Sequence, residues 1–66
     1  MDFLDETTYK NQIIKEQIKI KQDLYVIAQS KDQKYHVYLL QGSKEKKLME
    51  CDSPVEFYKK YEKKLR

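Results

Sequence analysis

The chain is poor in the residues that most often build chemical sites or sharp turns. Its 66 residues include one cysteine, one glycine, one proline, one histidine and no tryptophan. A single cysteine excludes an internal disulfide, which favours a reducing cytoplasm over a secreted setting. A single glycine excludes a glycine-rich phosphate-binding loop. One histidine and one cysteine are too few N/S ligands for a zinc site, so we expect neither a metal nor a cofactor.

Long apolar runs are missing as well. No stretch approaches the roughly 18 apolar residues that a membrane span requires. The first ten residues, MDFLDETTYK, are acidic and lack an apolar run, so they predict neither a secretory signal nor an anchor. The length predicts one small domain, residues 1–66, that buries only about 60% of the surface of its unfolded chain.

Charged residues, by contrast, are abundant and nearly balanced. Fourteen basic and eleven acidic residues give a net charge of +3. Residues 44–66 hold eight of the basic and five of the acidic residues, which accounts for the whole excess. Every basic residue except Arg66 is a lysine. Because arginine is the usual reader of guanine edges, this composition favours a solvated surface over a sequence-specific nucleic-acid site.

The strongest local pattern is a helix in DSPVEFYKKYEKKLR. Ser53 is a good N-cap, Pro54 suits the first helical position, and Glu56 can complete a capping box. At about 100° per residue the apolar side chains fall in one stripe, which consists of Pro54, Phe57, Tyr58, Tyr61 and Leu65. The lysines point away from this stripe: Lys59, Lys60, Lys63 and Lys64.

The middle of the chain is typical of β-structure. The segments QIKIKQDLYVIAQ, KYHVYLLQ and KLMEC alternate in polarity, and SKDQ and GSKEK separate them as loops. In FLDETTYKNQIIKEQ, Asp5 or Thr7 can cap a helix that ends near Glu16 and Gln17, although Ile18 and Ile20 fit a strand equally well. The predicted fold class is therefore α+β: an N-terminal helix, a three-stranded antiparallel meander and a C-terminal helix.

A four-residue first loop and a five-residue second loop predict which side chains share a sheet face. One face, covered by the C-terminal helix, holds Val26, Val37, Leu39, Met49 and Cys51. The opposite face holds Tyr25, Ile27, His36, Tyr38, Leu40 and Leu48. Since this register separates His36 from Cys51, the two cannot form a nucleophilic pair. We therefore expect no catalytic residues and no enzymatic activity.

The aromatic second face has two interpretations. Either the N-terminal helix covers it through Tyr9, Ile13 and Ile14, or part of it stays open for another protein or a second copy of the chain. The edge of the short third strand also offers a place for an added strand, although its lysines discourage casual pairing. The sequence thus favours a small, non-enzymatic interaction module, a regulator or inhibitor of the kind frequent in phage and other mobile elements.

Nucleic-acid binding is the alternative. The order helix, three strands, helix resembles the double-stranded-RNA-binding domain, and three strands followed by a helix resembles the sheet-reading DNA-binding domains of phage-type integrases. These resemblances imply contacts from the sheet and from the lysine-rich helix, and the helical candidates are Lys59, Lys60, Lys63, Lys64 and Arg66. The chain departs from both patterns, because its last helix begins with the acidic SPVE and its second sheet face carries few basic residues.

Overall fold

Five antiparallel strands and one helix make up the fold in the computed structural model, which describes residues 3–65. The strands are β1 (Thr8–Tyr9), β2 (Gln12–Ile20), β3 (Asp23–Gln29), β4 (Tyr35–Gln41) and β5 (Lys44–Cys51), and the helix is α1 (Pro54–Leu65). Their order across the sheet is the order along the chain, so the sheet is a meander. Within residues 3–65, no helix is both long and apolar enough to cross a membrane.

The predicted N-terminal helix is wrong, because residues 8–20 form a β-hairpin instead. Lys10 and Asn11 have φ angles of 53° and 64°, and two positive φ angles are the requirement of a type I′ two-residue turn. The β-branched isoleucines that follow then favour a strand over a helix. The corrected fold is a five-stranded antiparallel half-barrel with one C-terminal helix. The absence of an N-terminal helix from the described residues removes the basis of the resemblance to the double-stranded-RNA-binding domain, whereas the order of three strands followed by a helix is still present as β3, β4, β5 and α1.

A second unforeseen turn divides the predicted first strand. Lys21, with a φ angle of 56°, and Gln22 form a two-residue turn that pairs Ile20 with Asp23. Cross-strand partners share a face, so this turn exchanges the odd and even positions between β2 and β3. Ile18 therefore lies beside Tyr25, on the opposite face from the one that simple alternation predicts.

Ser30 and Lys34 pair just beyond the ends of β3 and β4, so the turn between them contains three residues, 31–33, rather than the predicted four. The amide of Gln33 donates to the carbonyl oxygen of Ser30 at 2.9 Å, and the amide of Ser30 donates to the carbonyl oxygen of Lys34 at 3.0 Å. Gln33 has a φ angle of 68°. A tight turn followed by one left-handed residue is a common three-residue hairpin connection.

This shorter loop shifts the predicted register by one residue, which reverses the two faces of β3. Ile27, and not Val26, is the partner of Val37. The face packed against α1, here called the helix face, has a buried cluster of Tyr25, Ile27, Val37 and Phe57. The opposite face, here called the second face, carries Leu24, Val26, Ala28, His36, Tyr38 and Leu40.

The turn between β4 and β5 is also shorter than predicted. Gln41 pairs with Lys44, so the turn contains only Gly42 and Ser43. Gly42 has a φ angle of 61°, which glycine adopts without steric cost. Strand β5 is consequently eight residues long and begins well before the predicted KLMEC. One extra residue, Leu48, forms a bulge in β5.

The C-terminal helix is confirmed. The hydroxyl oxygen of Ser53 accepts a hydrogen bond from the amide of Val55 at 3.3 Å, as expected of an N-cap. The Glu56 carboxylate accepts one from the amide of Asp52 at 3.2 Å, one residue earlier than a standard capping box. Phe57 is fully buried at the centre of the helix face. The side chains of Lys64 and Leu65, and the whole of Arg66, lie outside the described part of the chain.

The sheet curls toward its second face. Five strands about 4.8 Å apart would place β1 and β5 roughly 19 Å apart in a flat sheet, which is too far for direct side-chain contact. Yet the hydroxyl of Tyr9 in β1 donates to the carboxylate of Glu45 in β5. Bulges at Lys15 and Leu48 supply the bending, because each adds a residue to one strand of a pair.

The concave second face is covered by the N-terminal part of the chain. Leu4, Tyr9 and Ile14 pack against the buried cluster of Leu24, Val26 and Leu40. The Gln17 side chain holds this cover in place: its oxygen accepts from the amide of Leu4 at 2.7 Å, and its nitrogen donates to the carbonyl oxygen of Leu4 at 3.1 Å. The segment around Leu4 that precedes β1, here called the N-terminal strap, and the hairpin of β1 and β2 thus close the second face, and no helix among the described residues does so.

We expect Phe57→Ala to lower the free energy of unfolding by about 3–5 kcal/mol, because it leaves a cavity at the centre of the helix face. That loss is comparable to the whole stability of many small domains. Val55→Ala is the matched control on the exposed side of α1 and should change stability by no more than about 0.5 kcal/mol. Urea denaturation followed by circular dichroism measures both. Equal stability of the two variants would contradict the packing described for α1.

We also expect the Cys51 thiol to react slowly in the folded protein. Cys51 is only 7% exposed, and burial raises the pKa of its thiol, which lowers the fraction of reactive thiolate at neutral pH. A chromogenic disulfide reagent should therefore label it slowly without denaturant and rapidly in urea. The chain has no other cysteine, so the signal is unambiguous. Labelling at the same rate in both conditions would contradict the burial of Cys51.

Candidate functional site

The six side chains predicted to form a partner-binding face do not lie together. Tyr25 and Ile27 are buried beneath Phe57 on the helix face, and Leu48 packs against the same cluster. The other three lie on the second face: His36, Tyr38 and Leu40. All except Leu48 are at most 9% exposed. The expected tyrosine-rich open surface is therefore divided between two covered faces, because the predicted register was shifted by one residue.

A polar and aromatic clasp, formed by Tyr9, Lys10, Tyr38 and Glu45, closes the mouth of the half-barrel. The rings of Tyr9 and Tyr38 lie 5.1 Å apart between centroids. The ammonium of Lys10 forms an ion pair with Glu45 and lies 5.4 Å from the centroid of the Tyr38 ring. The clasp joins the first hairpin to β5, so it ties the two ends of the sheet together.

Electrostatics in the clasp favour its charged arrangement at neutral pH. Hydrogen bonds from Lys10 and Tyr9 hold the pKa of the Glu45 carboxyl below its usual value. The hydrogen bond to Glu45 raises the pKa of Lys10. Burial and the bond to Glu45 both raise the pKa of Tyr9. Glu45 is thus an ionised acceptor, and its two donors, Lys10 and Tyr9, belong to the same chain.

His36 lies between the hydroxyl of Ser30, to which it is hydrogen-bonded, and the carboxylate of Glu50, which is too far away for a hydrogen bond. Nε2 lies 3.1 Å from Ser30 Oγ, and Nδ1 lies 3.8 Å from Glu50 Oε2. The other two partners of the Ser30 hydroxyl are both acceptors, the carboxylate of Asp32 and the carbonyl oxygen of Lys34. The single hydroxyl hydrogen therefore goes to one of them, and Nε2 of His36 is the donor to Ser30.

This proton arrangement is the reverse of that in a serine–histidine–acid triad. Such a triad needs an Nδ1–H directed at the carboxylate and an unprotonated Nε2 that accepts the serine hydrogen. In His36, Nε2 instead donates to Ser30, and Nδ1 has no hydrogen-bond partner among the described residues. The arrangement therefore stabilises the turn between β3 and β4, and it does not activate Ser30 as a nucleophile.

An open cleft of about 280 Å³ lies where β5 meets α1, and its lining is mostly charged. The residues around it are Lys34, Glu50, Cys51, Asp52 and Glu56. Because burial raises the pKa of the Cys51 thiol, this cysteine is a poor nucleophile at neutral pH. Among residues 3–65, no group of three metal-ligating side chains is close enough to hold an ion.

The lysines proposed for nucleic-acid contact lie on the outer side of α1. Lys59, Lys60 and Lys63 are exposed, and with Tyr61 and Glu62 they line an open groove of about 450 Å³. The ammonium of Lys60 lies 5.9 Å from the centroid of the Tyr61 ring. These side chains form a positive surface, while the side chain of Lys64 and all of Arg66 fall outside the described residues.

Strand β5 lies at one edge of the sheet. Among residues 3–65, no strand lies beyond β5, whose partner on its other side is β4. Gln41 and Lys44 flank a two-residue turn and so form a hydrogen-bonded pair. Because bonded and non-bonded pairs alternate in an antiparallel ladder, the amides of Glu45 and Lys47 point outward. They are available to an added strand.

The sequence pattern predicts a loop for GSKEK and therefore misses most of this edge. The pair Gly42–Ser43 is the signal that identifies it, since a glycine followed by a small polar residue is typical of a two-residue hairpin turn. Comparisons with models of protein families, with curated proteins and with solved structures found nothing that matches this chain. Function is therefore inferred from the geometry of the chain itself.

We expect Tyr38→Ala to lower the free energy of unfolding by about 3–5 kcal/mol, because it removes a buried ring that contacts Tyr9 and closes the second face. Tyr38→Phe, the matched control, loses only the hydroxyl hydrogen bond to Gln12 and should cost about 1 kcal/mol. Thermal or urea denaturation measures both. If Tyr38→Ala were as stable as the wild type, Tyr38 would be a surface residue, as the sequence predicted.

Proposed function

We propose that this protein is a small, non-enzymatic interaction module that binds an extended segment of another protein along the outer edge of β5. The observation that carries this proposal is the unpaired edge itself. Edge strands present rows of free amide and carbonyl groups, and a peptide that adds a strand satisfies them. The proposal replaces the tyrosine-rich face with the strand edge as the docking surface.

The coverage of both sheet faces supports this choice of surface. Alpha-helix α1 covers one face and the N-terminal strap and hairpin cover the other. The edge formed by residues 15–20 of β2 is also partly occupied, since Tyr58 donates to the Glu16 carboxylate and Gln17 holds Leu4. Strand β5 thus offers the longest free edge in the described part of the chain. We place the module in the cytoplasm, because its single, unpaired cysteine suits a reducing compartment.

Nucleic-acid binding remains the second candidate, and the exposed groove of Lys59, Lys60, Tyr61 and Lys63 favours it. Lysines beside an aromatic ring suit backbone phosphates and a stacked base. The sheet itself no longer contributes to this hypothesis, because both of its faces are covered. Binding through lysines alone would be independent of nucleic-acid sequence and would weaken steeply as salt is added.

The experiment that tests the proposed function is selection of extended peptides from a random display library on the immobilised protein. We expect selected peptides to slow hydrogen exchange at the amides of Glu45 and Lys47, because the carbonyl oxygens of an added strand accept hydrogen bonds from these outward-pointing amides. Binding should be lost in Lys47→Pro, which removes an outward N–H, and retained in Lys47→Ala, which removes the same side chain but keeps that N–H.

Two results would contradict the proposal. One is that selected peptides bind Lys47→Pro and Lys47→Ala equally well. The other is that bound peptides slow hydrogen exchange at the amides of α1 instead of at those of β5. If the proline variant is destabilised, the exchange measurement on the wild-type protein decides the question alone. Protection of the α1 amides by DNA or RNA, with no peptide selected at β5, would favour the nucleic-acid alternative.

A further inference from the structure

We propose that the edge of β5 selects an acidic strand, in which two carboxylates are separated by one residue. This inference rests on the proposed function and adds the chemistry of the partner. It comes from the pair of lysines, Lys44 and Lys46, that the register of β5 places at the free edge. Their positions set both the charge and the spacing that a complementary segment needs.

Lys44 and Lys46 have no opposite charge beside them in the described part of the chain. Both are exposed, and among residues 3–65 no carboxylate forms an ion pair with either of them. Glu45, which lies between them in sequence, is engaged on the other side of the strand by Lys10 and Tyr9. Lys47 differs, because its ammonium donates to the Glu50 carboxylate at 3.3 Å.

Both lysines lie on the same side of β5. Lys44 pairs with Gln41, and Lys46 pairs with Leu39, so both side chains project from the helix-face side of β5. Alternate residues of a strand lie on one face, about 6.6–6.8 Å apart. A strand added at the edge of β5 places its own alternate residues opposite these lysines. Carboxylates at positions i and i+2 therefore meet both ammonium groups, whereas adjacent carboxylates meet only one.

The two lysines also disfavour other partners. Lysines on an edge strand discourage indiscriminate pairing, because a neutral strand would leave the charges partly desolvated without a partner. A second copy of the chain is a poor occupant. Three of the four residues Lys44–Lys47 are lysines, and Glu45 is already engaged by the clasp. Two such edges would bring positive charge against positive charge.

A small set of labelled peptides of about ten residues, the length of a long strand, tests this inference. The first alternates glutamate and threonine. The second has the same composition with the glutamates in adjacent pairs, and the third replaces glutamate with glutamine. We expect the alternating acidic peptide to bind roughly tenfold tighter than the other two, since cross-strand charge pairs form only there. Its binding should weaken with added salt and should protect the amides of Glu45 and Lys47.

Two double variants change the net charge by the same amount, one at the edge of β5 and one away from it. Lys44→Glu with Lys46→Glu should weaken binding of the alternating acidic peptide by roughly tenfold or more. Lys15→Glu with Lys31→Glu, at exposed positions away from the edge of β5, should change it by no more than about twofold. Equal losses in the two double variants would overturn the inference, because they would show attraction to the net charge alone.

The remaining outcomes separate this inference from the proposed function. If the glutamine peptide binds as tightly as the acidic one and still protects Glu45 and Lys47, the preference for acids is wrong and the docking edge stands. If none of the peptides protects these two amides, the docking edge fails as well. A single-stranded DNA oligonucleotide that binds as tightly as the alternating peptide, with the same loss in both double variants, would also overturn the inference.

Discussion

The structure depends on one constraint: its central strand is apolar on both faces. In β3 the five consecutive residues Leu24, Tyr25, Val26, Ile27 and Ala28 are all buried. Exposing either face of such a strand to water would cost free energy, whereas an ordinary small antiparallel sheet leaves one face exposed to solvent. Two covers are therefore needed from a short chain. The C-terminal helix supplies one through Phe57, and the N-terminal strap and hairpin supply the other through Leu4, Tyr9 and Ile14.

Covering two faces with so few residues requires a curved sheet. Only a curled sheet lets the short strand β1 reach across to β5, and the bulges at Lys15 and Leu48 provide that curvature. The clasp between Tyr9, Lys10, Tyr38 and Glu45 then fixes the curled form. With both faces occupied, the exposed features of the described residues include the backbone edge of β5 and the lysines beside it. The same packing that covers both faces thus leaves the edge of β5 unpaired, which is why we propose it as the docking surface.

Much of the fold follows from the sequence, but the turns decide the rest. The helix could be predicted, because Ser53 and Pro54 act locally and the apolar stripe has one period. The alternation of β3 and β4 also identified them as strands. Which side chains share a face could not be predicted from alternation. A turn that is one residue shorter than predicted shifts the strand register by one residue, and this moves every side chain of the next strand to the other face. Three of the four turns use positive φ at lysine, asparagine or glutamine, residues that carry a weaker turn signal than glycine. The sequence pattern does not identify the candidate docking edge for the same reason, because it predicts a five-residue loop where the structure has the two-residue turn Gly42–Ser43.

Glu45 connects the closure of the fold to the charge of the docking edge. Its carboxylate points into the clasp, where hydrogen bonds from Lys10 and Tyr9 depress its pKa, so it remains ionised and occupied at neutral pH. A carboxyl group with a depressed pKa stabilises the folded state above its unfolded pKa, and that contribution is lost as the pH falls through the folded value. The clasp is therefore intact at neutral pH, and no charge from Glu45 is left to neutralise Lys44 and Lys46. The interaction that closes the half-barrel is thus also the one that leaves its free edge positive.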